Sequence, residues 1–235
     1  SLGLYNIVDT TGINKSINNV LSSGIDFNTY TSPKGLKELR IEISNFLSGI
    51  WNYNVNYKDM LNIECFVFNS ISVNTFIIYN ESKECVIVDP GNCNLIEDAK
   101  LFDFIEDFQL RPIMILNTHA HIDHILGNRS TADKYNIPLA AHPDGREYYK
   151  TAHAYAAAFG MNYNAEDTLY PSIDLYDGQI INIGNDELEV IFTPGHAKGS
   201  CCFYCEKQDF VITGDTLFCR GIGRTDLPGG SYSEL

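Results

Sequence analysis

Seven consecutive residues, Thr118-His119-Ala120-His121-Ile122-Asp123-His124, place three imidazoles and one carboxylate within six positions. The chain has six histidines in all, so half of them fall in this one stretch, which scattered solvated loop histidines would not produce. Imidazole nitrogens and carboxylate oxygens are the usual ligands of Zn²⁺. The run follows an apolar segment, residues 112–116, that reads as a buried strand. Its side chains therefore emerge at a strand's C-terminal end, where layered α/β folds gather their sites. Two later turns offer the same chemistry: Thr193-Pro194-Gly195-His196 and Thr213-Gly214-Asp215-Thr216 each set one ligand type just after a strand. Alone, either fits a structural turn; their order behind the histidine run joins them to it. A carboxylate can span two cations with its two oxygens while histidines fill the remaining positions. A cation held this way brings the pKa of bound water towards neutrality and stabilises a developing oxyanion, so hydrolysis needs no serine or cysteine nucleophile.

The elements that must carry these residues follow from the apolar pattern. Residues 63–68, 75–79 and 85–88 are predicted strands, closed by the turn Asp89-Pro90-Gly91. A helix is expected over 95–108, with Leu101, Phe104, Ile105 and Phe108 as its buried stripe. After the strand at 112–116 come a helix over 125–135, a strand at 138–141 and an Ala- and Tyr-rich helix over 147–159. Strands are expected at 180–183, 188–192, 201–204 and 210–213. Strands in both halves with helices between them predict an α/β fold of two sheets covered by helices. The first sixty residues differ in style. Leu36, Leu39, Ile43, Phe46, Leu47 and Ile50 recur at helical spacing, a shorter helix is expected over 13–21, and no obvious chemistry lies there.

Composition limits the partners. With 16 Lys and Arg against 30 Asp and Glu, the formal net charge is −14. That excludes a basic face for nucleic acid and disfavours an anionic membrane surface. No run of 18 apolar residues spans a bilayer, and the N-terminus lacks the basic start and apolar core of a signal peptide. The seven cysteines are odd in number and form no dense framework, as expected of reduced thiols in the cytoplasm. Cys202-Phe203-Tyr204-Cys205 falls in a predicted strand, where positions three apart face opposite ways, so buried strand cysteines are the reading there rather than a redox pair.

The order His-x-His-x-Asp-His, then His, then Asp resembles the metallo-β-lactamase superfamily. Flanking text narrows the likeness. Val88-Asp89-Pro90-Gly91, Thr193-Pro194-Gly195-His196, Gly214-Asp215-Thr216-Leu217-Phe218 and the stretch from Gly221 to Gly230 are similar to the glyoxalase II-like branch, and more closely to its short bacterial members. The resemblance covers about residues 60–235. It implies a four-layer αββα fold in which His119, His121 and His196 match a first metal site, Asp123 and His124 a second, and Asp215 the bridging carboxylate. It also implies one or two Zn²⁺ ions, with Fe or Mn as alternatives. Asp123 would be catalytic, orienting a zinc-bound hydroxide for attack on a small-molecule thioester such as S-lactoylglutathione. Arg224 matches a position where the branch carries a cation near glutathione; pairing with Asp226 is the equal alternative.

The family's second site also uses a histidine in a later Pro-Gly-His turn, which has no counterpart before Leu235. A C-terminally incomplete fold with a weakened second site is therefore expected. Upstream, residues 27–40 are similar to an early segment of fold-type I pyridoxal-phosphate aminotransferases, so residues 1–59 read as a partly helical extension ahead of a hydrolase domain at 60–235. The cofactor lysine, the acid facing the pyridine and the phosphate loop of that family have no counterpart in the extension, so no pyridoxal phosphate is expected. Two rival functions stay open: an iron-dependent persulfide dioxygenase using His119, His196 and Asp215 around one iron, and a non-catalytic remnant. The oligomeric state is not legible.

Overall fold

Two β-sheets stack face to face in the computed structural model, which describes residues 61–235 apart from 159 and 162. The first sheet has the order β1-β2-β3-β4-β5-β6, formed by β1 (Asn62–Phe68), β2 (Val73–Tyr79), β3 (Glu84–Val88), β4 (Arg111–Leu116), β5 (Leu139–Ala141) and β6 (Ile173–Asp174). Its first three strands pair antiparallel and the rest parallel. The second sheet is antiparallel, in the order β10-β9-β8-β7, with β7 (Ile180–Ile183), β8 (Asp186–Phe192), β9 (Cys201–Cys205) and β10 (Phe210–Ile212). A small ribbon, β11 (Leu217–Phe218) and β12 (Gly221–Ile222), follows.

Cys85, Val86, Ile87 and Val88 are all buried because β3 is covered on both faces. Val86, Val88, Ile78 and Leu116 meet Leu188, Val190, Phe203 and Ile212 of the second sheet. On the other face, Ile77, Ile87 and Cys85 meet Leu101 and Ile105 of α1 (Leu95–Asp107). Ile115, Leu139 and Ala141 pack under α2 (Ile122–Ile125), α3 (Asn128–Tyr135) and α4 (Arg146–Ala158). The helices named here thus lie on the outer face of the first sheet, and the described layers run helices, sheet, sheet. Among the described residues no helix is long and apolar enough to cross a membrane.

Two expectations change in detail. The helix expected over 125–135 is two helices broken at Gly127, whose N–H donates to the Pro90 carbonyl at 2.8 Å while a Cβ there would lie 2.1 Å from Asn92 Oδ1. In α1 the buried stripe narrows to Leu101 and Ile105, because Phe108 is 43% exposed and Phe104 joins it in an aromatic group with Phe66 and Tyr79 near the sheet edge. All seven cysteines are free, with Cys201, Cys202 and Cys205 buried in β9. The helices expected over 13–21 and 36–50, and the aminotransferase-like stretch, lie outside the described residues.

Candidate metal centre

Each chemistry-bearing turn leaves a strand at the same edge of the sandwich. β4 ends into the histidine run. β8 and β10 both lie antiparallel to β9 and so run the same way, delivering His196 and Asp215. The two sheets are tied at this edge by the Cys201 N–H, which donates to the Thr118 carbonyl at 2.7 Å.

The structure brings His119, His121, Asp123, His124, His196 and Asp215 together. One nitrogen from each of His119, His121 and His196 lies within 4.8 Å of the others, and so do ligand atoms of His119, His124 and Asp215. His121 Nδ1 is 3.1 Å from His119 Nε2 and 2.9 Å from His196 Nε2. Asp215 faces both sets, with Oδ2 3.5 Å from His196 Nε2 and Oδ1 3.4 Å from His124 Nε2. Asp123 Oδ2 stands 3.5 Å from His124 Nε2.

The far nitrogens are tied back, and this decides what the near ones can be. Thr118 Oγ1 donates to Asp89 Oδ2 at 2.5 Å, since a carboxylate only accepts; the hydroxyl oxygen therefore accepts His119 Nδ1–H at 3.1 Å. His196 Nδ1–H donates to the Arg224 carbonyl at 2.7 Å, and His124 Nδ1–H to Asp89 Oδ2 at 2.9 Å. His119 Nε2 and His196 Nε2 thus present lone pairs toward His121 Nδ1, which has at most one proton to share. A cation resolves that convergence, so the donor set fits a metal ion.

Electrostatics agree. Burial, reinforced by the neighbouring imidazoles, holds His119 well below the usual histidine range. Burial and then His196 bring His121 down to about 3. Burial also opposes charge on His124, but Asp89, Asp215 and Asp123 outweigh it and raise the pKa well above the ordinary value. Asp123 is raised by burial. For Asp215, burial acts upward, but the hydrogen bond to His124 and the surrounding imidazoles hold the carboxyl below its usual range.

A cavity of about 420 Å³ opens over His121, Asp123, His196 and Asp215. Arg224 lines it, yet its guanidinium is engaged: Nε and Nη2 donate to the two Asp226 oxygens at 2.8 and 2.7 Å. His142 stands apart, stacked on Phe192 at 4.2 Å with its Nδ1 accepting from the Asp144 N–H. Asp89 is the residue that sequence reasoning underestimated, taking it for a turn signal. It is 1% exposed and orients two of the imidazoles, one directly and one through Thr118. An acid closing a fully apolar strand was the available clue.

The family model of the metallo-beta-lactamase superfamily matches residues 70–235. This chain belongs to that superfamily. A probable metallo-hydrolase, YqgX of Bacillus subtilis, is 39% identical over 166 residues, which cover 70% of this chain and 75% of the relative. Hydroxyacylglutathione hydrolase GloC of Haemophilus influenzae is 27% identical over 74% of this chain and 81% of its own. Among solved structures, the BLEG-1 B3 metallo-beta-lactamase has a TM-score of 0.65 and 32% identity, covering 73% of this chain and 80% of that one. TTHA1623 in a di-iron-bound form has a TM-score of 0.65 and 28% identity over 73% and 81%. The fold is thus the metallo-beta-lactamase fold, and the His/Asp cluster belongs to a metal-binding superfamily of hydrolases.

Proposed function

We propose that this chain is a glyoxalase II-like thioesterase, a zinc-dependent hydrolase of small-molecule thioesters of the S-lactoylglutathione kind. The observation that carries it is the convergence of tied-back imidazoles and two carboxylates at the floor of an open cavity. The likeness to the hydroxyacylglutathione hydrolase supports the thioester class. His119, His121 and His196 would hold one ion and Asp123 and His124 a second, with Asp215 facing both sets. A bound divalent cation supplies a water nucleophile at neutral pH and polarises the scissile carbonyl. Asp123, beside His124 and facing the cavity, accepts a hydrogen bond from the attacking water and aims it. Asp89 fixes the rings of His119 and His124, and the Arg224 carbonyl fixes that of His196. The Arg224 side chain, paired with Asp226, lines the mouth where the thiol portion of the substrate would lie. The hydrolase domain corresponds to residues 60–235, with 1–59 as an extension, and free thiols suit the cytoplasm.

The test is metal analysis of the purified chain together with thioester hydrolysis before and after chelation. Zinc bound through the histidines, with activity lost on chelation and restored by zinc, is expected; His119→Ala should lose both metal and rate. Oxygen uptake with glutathione persulfide and an iron-loaded protein would instead establish the dioxygenase. Ring-opening of a chromogenic cephalosporin with no thioester turnover would establish a lactamase.

A further inference from the structure

The cavity's walls say more than its floor. Of its fourteen lining residues, five are His121, Asp123, His196, Asp215 and Arg224, and the other nine are apolar or aromatic. One wall is a single face of α4, where Tyr148, Ala152 and Tyr155 follow at spacings of four and three. Tyr148 presents its ring rather than a spare hydroxyl, because its Oη donates to the Pro228 carbonyl at 2.9 Å and accepts the Lys198 N–H at 3.2 Å. The lining also includes Ile71 and Phe218, which remain 44% and 49% exposed. Among the described residues Arg224 is the only Lys or Arg in the lining, and Asp226 already occupies it through two hydrogen bonds.

We infer that this site selects thioesters with an apolar or aromatic acyl group, recognised by the α4 face and Phe218, with little demand on the thiol. The inference rests on the proposed thioester hydrolysis and moves its preferred acyl group away from lactoyl. The lactoyl hydroxyl would find a single phenol, that of Tyr155, in walls that are otherwise apolar, whereas each added methylene removes apolar surface of both chain and wall from water. A polyanionic thiol gains little from a guanidinium that already holds a carboxylate, in a chain of net charge −14.

The experiment uses the zinc-loaded full chain with acetyl, butanoyl, hexanoyl, phenylacetyl and lactoyl thioesters, each on glutathione and on uncharged N-acetylcysteamine. kcat/KM should rise about fourfold per methylene until the cavity is filled. The hexanoyl ester should exceed the lactoyl ester by about tenfold to a hundredfold, with the two thiols within a few-fold of each other. Tyr155→Ala and, at the exposed rim, Phe218→Ala should flatten the chain-length dependence, with folding checked by circular dichroism. A lactoyl optimum, or a preference of about tenfold or more for glutathione over the uncharged thiol, would overturn the inference. Calorimetric binding of hexanoate against lactate gives a readout without turnover. Tighter hexanoate with no hydrolysis of any ester means the thioester reading fails while apolar recognition stands. Hexanoate no tighter than lactate overturns the apolar recognition whatever the turnover.

Discussion

Four donors converge on the Asp89 carboxylate. Oδ1 accepts the Thr118 N–H at 2.7 Å and Asn117 Nδ2 at 3.4 Å, while Oδ2 accepts the Thr118 hydroxyl at 2.5 Å and His124 Nδ1–H at 2.9 Å. The group is buried, so no water substitutes for a lost acceptor. Asp89→Asn keeps the shape but turns an N–H₂ onto a ring of donors. Zinc affinity, measured by competition with a chelator, should fall roughly 10–100-fold, with about 1–3 kcal/mol lost in urea unfolding. An unchanged zinc constant would mean that Asp89 merely shapes the turn. The proposed ligands were legible as candidates, since His119, His121, Asp123 and His124 are chemically distinctive types crowded together. Asp89 was not, because an aspartate before Pro-Gly is an ordinary turn residue until the fold sets it against a histidine thirty-five positions away.

Between elements, the spacing of the metal-bearing turns depends on one close backbone approach. Gly214 adopts φ +49°, and a Cβ there would lie 2.4 Å from Thr118 Oγ1. The turn after β10 therefore sits directly on the turn after β4, which is how Asp215 comes to face His124. Gly214→Ala combines left-handed strain with a clash against a hydroxyl already engaged in orienting His119. It should cost roughly 1–3 kcal/mol of stability and loosen metal held by the Asp215 side more than metal held by the three imidazoles. Stepwise zinc titration of the variant reads this; equal weakening of both steps would argue against it. Strands made of apolar runs were legible at this scale, as β1, β3, β4, β7 and β9 fall within a residue or so of expectation. β6, β11 and β12 were missed because two-residue pairings leave no periodicity to read. The break at Gly127 was missed because its cause, the Asn92 side chain and the Pro90 carbonyl, lies on another loop.

At the scale of the molecule, the inter-sheet core places three turns at one edge, and the cost of crowding ligands there must appear in stability. Unfolded, His121 takes up a proton near its ordinary value of 6.5; folded, burial and His196 hold it to about 3. Between those limits the unfolded chain binds more protons, so stability falls as pH drops from about 6.5 towards 3. His119, also lowered, acts in the same direction. His124 is raised, so its contribution is present at low pH and is lost as pH rises through its folded value. Below about pH 6.5 His124 is protonated folded and unfolded alike and adds no slope, so the lowered imidazoles set the sign there and the chelator-treated chain should lose stability as pH falls below that value. Zinc adds to this balance by mass action. At a free concentration near a thousand times its dissociation constant it contributes about 4 kcal/mol, which for a domain of this size raises Tm by roughly 8–16 °C at neutral pH. In the folded chain His121 takes up a proton only near pH 3, so little of this zinc contribution should be lost to protons at that ring above about pH 4.5. Scanning calorimetry from pH 7.5 down to 4.5, with and without chelator, measures both slopes. A Tm indifferent to zinc at neutral pH would mean that the imidazoles converge without holding an ion.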